Sequence, residues 1–108
     1  MRVFRPIPRA ALPGVMTVRL CLDDGSFGEP VVVAGVRFDE TQKESSDEHR
    51  SADNGSGIVF VDAVNTAGAF EVPVGARVAI RGRSYIVREC YRADDLFGRC
   101  HHWELKVG

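Results

Sequence analysis

Polar and apolar residues alternate along most of this chain with a period of two, the mark of strands that bury one face. The pattern is clearest in the last third. Val78 and Ile80 alternate with Arg77, Ala79 and Arg81, and Tyr85 and Val87 alternate with Ile86 and Arg88. Between them, Arg81-Gly82-Arg83-Ser84 places a glycine where a tight turn needs a φ that other residues resist, so residues 77–88 read as a β-hairpin. At the end, Trp103, Leu105 and Val107 share one face of a terminal strand while His102, Glu104 and Lys106 share the other.

Upstream, Met16, Val18, Leu20 and Leu22 alternate with Thr17, Arg19 and Cys21, which predicts a first strand over residues 15–22. A turn region with two glycines and Pro30 leads into a second strand over 31–38, with a bulge at Gly35. Residues 58–63 resume strand character, and Asp94 to Gly98 joins the hairpin to the last strand. About six short strands at close spacing, with no helical period anywhere, predict an all-β fold. The expected architecture is a small antiparallel, partly closed β-barrel.

Two stretches depart from the pattern. Residues 1–14 carry three prolines, which bias the backbone away from helix and predict an extended N-terminal arm, either loose or docked on a neighbour. The barrel domain is then residues 15–108. Inside it, residues 39–57 form a long polar loop whose one apolar residue is Ala52, too little to offset the entropy of ordering it. Six acids (Asp39, Glu40, Glu44, Asp47, Glu48, Asp53) outnumber Lys43 and Arg50 there. A loop of that length in a compact domain is uncommon and usually functional or disordered.

Composition adds little to this. The 108 residues make one domain, with a net charge of −1 that gives no overall attraction to nucleic acid or membrane. No apolar run approaches a membrane span, and the first residues lack the apolar core of a signal peptide. Three cysteines, Cys21, Cys90 and Cys100, are an odd number at irregular spacing, which argues for a reducing compartment and for small buried apolar side chains. Cys90, Cys100, His101 and His102 invite a zinc reading, but adjacent strand residues point to opposite faces, so the two histidines do not share a metal. His101 is expected beside Trp103 at the edge of the core, and His102 exposed or at a contact. Nothing local marks a nucleophile, and no phosphate-binding glycine motif is present. The expectation is no enzyme activity, no cofactor and no metal.

Several pieces, taken in order, resemble one family. Ile7-Pro8-Arg9-Ala10-Ala11-Leu12 resembles an N-terminal Ile-Pro-basic-x-x-Leu opening. Asp24-Gly25 with Gly28-Glu29-Pro30, then Gly35 to Asp39, resemble its next blocks, and Phe60-Val61-Asp62-Ala63-Val64-Asn65 resembles an aromatic-x-Asp-Ala-x-Asn stretch. His101-His102-Trp103-Glu104-Leu105 is similar to its closing His-His-aromatic-Glu-Leu. The family is that of tailed-bacteriophage minor capsid proteins of the head-completion, head-to-tail connector group. The resemblance implies a non-enzymatic barrel that assembles as a ring beneath the portal, with the portal or an adaptor and a tail protein as partners and packaged DNA nearby in the channel. It implies a virion location at the head–tail junction, after assembly in the host cytoplasm. In stopper-type members a long loop enters the channel. Carried over, that role falls on Glu40, Glu44, Asp47, Glu48, His49, Arg50 and Asp53, although an acidic loop would block DNA by repulsion rather than grip it. Assembly contacts are expected at Ile7, Pro8, Arg9, Arg77, Arg81, Arg88, His102 and Glu104. The competing reading is a free-standing OB- or SH3-like module binding nucleic acid or peptide, which requires exposed aromatics beside a basic groove.

Overall fold

The structure, a computed structural model, describes residues 5–41 and 55–108. Six strands, β1 (Gly14–Arg19), β2 (Val31–Thr41), β3 (Ser56–Asp62), β4 (Arg77–Ile80), β5 (Arg83–Asp94) and β6 (Cys100–Val107), pair antiparallel in the order β1-β2-β3-β6-β5-β4. β4 pairs with β1, so the barrel closes fully. Closure removes sheet edges, and the inward face of every strand supplies the core. That face is Met16 and Val18, Val33, Val36 and Phe38, Val59 and Val61, Val78 and Ile80, Tyr85 and Val87, Leu105 and Val107. β-Branched valine dominates because it packs well on a pleated surface.

Three bulges break the simple alternation, each by adding one residue on one side of a ladder. Gly35 is extra in β2, because Gly14 pairs with Val36 and Val15 with Ala34. It has φ +80, and a Cβ there would sit 3.1 Å from the Asn65 carbonyl. The bulge is why Val33 and Val36, three apart, both face inward. Arg88 is extra in β5 and His101 in β6. The hairpin turn is Arg81-Gly82, with φ 54 and 76, the left-handed pair of a type I′ turn. Gly57 is fixed by crowding instead: a Cβ there would lie 2.5 Å from Phe38 Cε1 and 2.7 Å from the Asp39 carbonyl.

The structure corrects several boundaries. β1 ends at Arg19, and Leu20 and Leu22 beyond it are exposed. The pattern continued there because the β1–β2 loop turns back on itself, with Cys21 bridging to Phe27. The polar loop is shorter than expected, because Asp39 to Thr41 belong to β2 and Ser56-Gly57 to β3. The described part of the N-terminal arm, residues 5–13, is extended apart from a 3₁₀ turn at Arg9–Ala11, and it docks on its own barrel, with Leu12 buried. Cys21 is exposed and Cys100 half-buried, whereas Cys90, also half-buried, packs against the core, so only Cys90 approaches the buried apolar role expected of the cysteines.

Trp103 is half-buried against the core, and its Nε1–H donates to Glu71 Oε1 at 3.2 Å. A fully enclosed tryptophan would cost about 3–5 kcal/mol on truncation. For this one, Trp103→Ala is expected to cost about 2 kcal/mol, from the smaller apolar area it hides. Urea unfolding checks this, and an unchanged midpoint would refute the packing.

Candidate functional site

Two constructions at the barrel's surface use residues that the strands alone do not account for. The first is the base of the polar loop. Thr41 pairs with Ser56 and Glu40 with Gly57, so the segment between them starts and finishes at one point on the barrel rim, on a two-stranded stem. Glu40 lies between the guanidinium groups of Arg81, at 3.9 Å, and Arg83, at 3.8 Å, across the type I′ turn. Arg81 also lies over the Phe38 ring, 5.5 Å from its centroid. Of the predicted loop residues, Glu40 is thus part of β2. Glu44, Asp47, Glu48, His49, Arg50 and Asp53 lie outside the described residues.

The second construction clasps the arm. Asp62 ends β3 with its side chain fully buried. Its Oδ1 accepts the Ile7 N–H at 2.9 Å, and its Oδ2 accepts the N–H groups of Val64 at 2.9 Å and Asn65 at 2.8 Å. This is the geometry of a helix N-cap applied to a single turn. Thr66 completes it: its Oγ1 accepts the Asp62 N–H at 2.8 Å and donates to the Gly35 carbonyl at the bulge. Asn65 Nδ2 donates to the Ile7 carbonyl at 2.8 Å, so both backbone groups of Ile7 are held by the one turn. The polar run Asp62-x-x-Asn65-Thr66 therefore joins arm, bulge and β3.

His101 and His102 extend the clasp. The bulge at His101 turns its ring to the same side as its neighbour, with the two Nδ1 atoms 2.8 Å apart, which overturns the expectation that adjacent histidines diverge. His101 Nε2 meets the Arg5 carbonyl, which can only accept, so that nitrogen carries the proton. His102 Nε2 lies 2.9 Å from Glu104 Oε2, and the His102 side chain is only 16 % exposed. His102 is therefore neither free nor on the open surface, and its polar atoms are met within the chain.

The remaining predicted contact residues are distributed around the barrel. Pro8 and Arg9 are exposed at the 3₁₀ turn, and Ile7 is half-buried, with its backbone held by the chain's own turn. Arg77 is exposed and lies over the Phe27 ring at 4.7 Å, and Arg88 is exposed at its bulge. Sequence reasoning missed the buried role of Asp62, although the pattern Asp-x-x-Asn-Thr after an apolar run is a capping signal. It also missed Leu96 and Phe97, which are 73 % and 68 % exposed at the tip of the β5–β6 hairpin. That tip is stiff. Asp95 Oδ1 accepts the N–H groups of Arg99 at 3.0 Å and Phe97 at 2.8 Å, and these bonds, that from Arg99 foremost, hold the carboxyl below its usual range.

Chemistry is poorly served by these arrangements. Burial, with Glu71 nearby, pushes the Cys90 thiol up, and burial pushes up that of Cys100, the opposite of what a nucleophilic cysteine needs. Among the described residues no group of three or more His, Cys, Asp or Glu side chains is placed to hold a metal ion. Of the aromatics that a nucleic-acid module would present, Tyr85 is buried in the core, Trp103 half-buried, and Tyr91 exposed.

A family model described as minor capsid protein matches residues 21–107, which is β2 to β6 together with the loop that precedes them. The chain belongs to the minor capsid protein family. It is accordingly a structural component of a bacteriophage virion, built on a closed six-stranded barrel. No curated protein and no solved structure matches the chain. The family match spans the turn at Asp62, the His-His-Trp-Glu-Leu strand and the whole polar loop, so the surface features above fall mostly within it.

Proposed function

We propose that this minor capsid chain is a head-to-tail connector subunit of the stopper type. It stands in a ring between portal and tail and helps to retain packaged DNA. The observation that carries this reading is the mounting of the polar segment: it is rooted at paired Thr41 and Ser56 on the rim of a closed barrel, with Glu40 neutralised between Arg81 and Arg83. Residues 42–54 add four acids against two bases, an excess of negative charge that repels a phosphate backbone. A closed barrel offers no strand edge for growth into fibres, which suits assembly through side-chain surfaces around a ring. The exposed Leu96–Phe97 tip is a preorganised apolar surface for a neighbouring component.

The reading is tested on particles. Phage lacking the protein are expected to package DNA but to yield heads that neither join tails nor keep their genome. A labelled chain should appear by electron microscopy at one vertex only. Label spread over the capsid lattice would overturn the connector role while leaving the family assignment intact. The competing module reading gains no support from Phe27, the aromatic ring beside a basic groove, because Arg77 covers its face.

A further inference from the structure

Arg19 and Arg77 face each other directly across the β1–β4 ladder. Like charges at opposed strand positions are unfavourable, and chains usually relieve them with a carboxylate. Neither arginine has one among the described residues, whereas Arg37, Arg81, Arg83 and Arg92 each pair with an acid. The two lie in a groove of about 660 Å³ on the outer wall of β1, β4 and β5, which also presents Thr17, Ser84 and Phe27 and has no acidic residue in its lining. Ser26 lines it too, but its hydroxyl already donates to Asp24 Oδ1 at 2.6 Å. Arg77 is fixed in place over Phe27, while the hydroxyls of Thr17 and Ser84 remain as neutral donors. Two adjacent guanidinium groups, one of them held by an aromatic ring, with hydroxyls and no competing carboxylate form a site for an oxyanion.

We propose that this groove binds the phosphate backbone of double-stranded DNA, without reading its sequence. Arg77 occupies the face of Phe27, so no base stacks there, and contact is limited to phosphates. Two arginines per chain give weak binding to an isolated subunit, which several subunits in one ring multiply by avidity. The barrel wall and the acidic segment then act in opposite senses on the same polymer: one holds the duplex and the other resists its passage. The phosphate site does not depend on the connector reading; the avidity does.

The test measures anisotropy of a labelled duplex against purified protein over a range of salt. The log of the affinity should fall with log salt with a slope near −2, at about 0.9 per phosphate neutralised. It should be equal for duplexes of unrelated sequence. Arg19→Gln with Arg77→Gln should abolish most of the slope, while Arg9→Gln, which removes the same kind of charge elsewhere, should leave it unchanged. Inorganic phosphate and pyrophosphate distinguish a polymer site from a free-anion site. Displacement of DNA by either at low millimolar concentration would overturn the DNA assignment. A second readout needs no binding curve: DNA should raise the melting temperature of the wild type and not of the double variant. Equal slopes for the wild type and the double variant, or capture of an acidic protein segment with no affinity for DNA, would sink the proposal. Binding to duplex by a chain that is absent from the head–tail junction would instead fault the connector reading alone.

Discussion

Asp62→Ala is expected to lower the melting temperature by about 12–24 °C and to release the N-terminal arm. The carboxylate accepts three backbone N–H groups, from Ile7, Val64 and Asn65, in a position with no exposure to water. Hydrogen bonds to a charged acceptor contribute about 1.5–3 kcal/mol each, and donors left behind in a buried site cost more than the lost bond. Not all three are lost outright, because Ile7 can reach water once the arm lifts. A net loss of about 3 kcal/mol is therefore expected, which for a domain of this size shifts the melting point by roughly 4–8 °C per kcal/mol. Asp62→Asn keeps one acceptor oxygen and should fall between wild type and alanine. Thermal unfolding gives the magnitude, and hydrogen exchange at the Ile7 amide reports the arm separately. A variant that melts like the wild type with Ile7 still protected would show that the clasp is incidental.

Replacing residues 42–54 by a short Gly-Ser linker is expected to have the opposite signature, a folded and at least equally stable protein whose particles lose DNA. Ala52 is the sole apolar residue in that segment, so excising it removes no hydrophobic burial of consequence. Shortening the loop lowers its closure entropy and favours the folded state by about 1 kcal/mol on the logarithmic dependence of closure on length. The excision must spare Glu40 and Gly55. Glu40 pairs with Arg81 and Arg83 at the stem, and Gly55 holds a φ of +90 beside the first residue of β3. Packaged genome length after storage, measured against wild-type particles, checks the result. Normal retention would remove the stopper role from the segment, and a loss of thermal stability would mean that it packs on the barrel after all.

Much of the architecture was legible in advance because strand formation is a local matter. Alternation placed Val78 and Ile80, Tyr85 and Val87, and Leu105 and Val107 on the inner face, where all six are buried. The glycine of the tight turn and the glycine of the β2 bulge were readable too, since both do something only glycine does cheaply. The failures share a physical cause. Leu20 and Leu22 continue an apolar rhythm past the point where the ladder has a partner, and a strand exists only as far as its neighbour. His101 and His102 converge because an extra residue in β6 shifts the pleat, and bulges without glycine leave no trace in composition.

The function divides along the same line. Residue order by itself determined the all-β class, the strand count and the polar insertion, together with the blocks that resemble a capsid family, because each rests on neighbours in the chain. Which strands meet was decided in three dimensions. Closure of β4 onto β1 brought Arg19 beside Arg77, and docking of the arm brought Ile7 to Asp62, 55 residues away. Such pairs form only when burial of the whole core offsets the entropy of bringing distant segments together. No stretch of sequence read alone contains that balance.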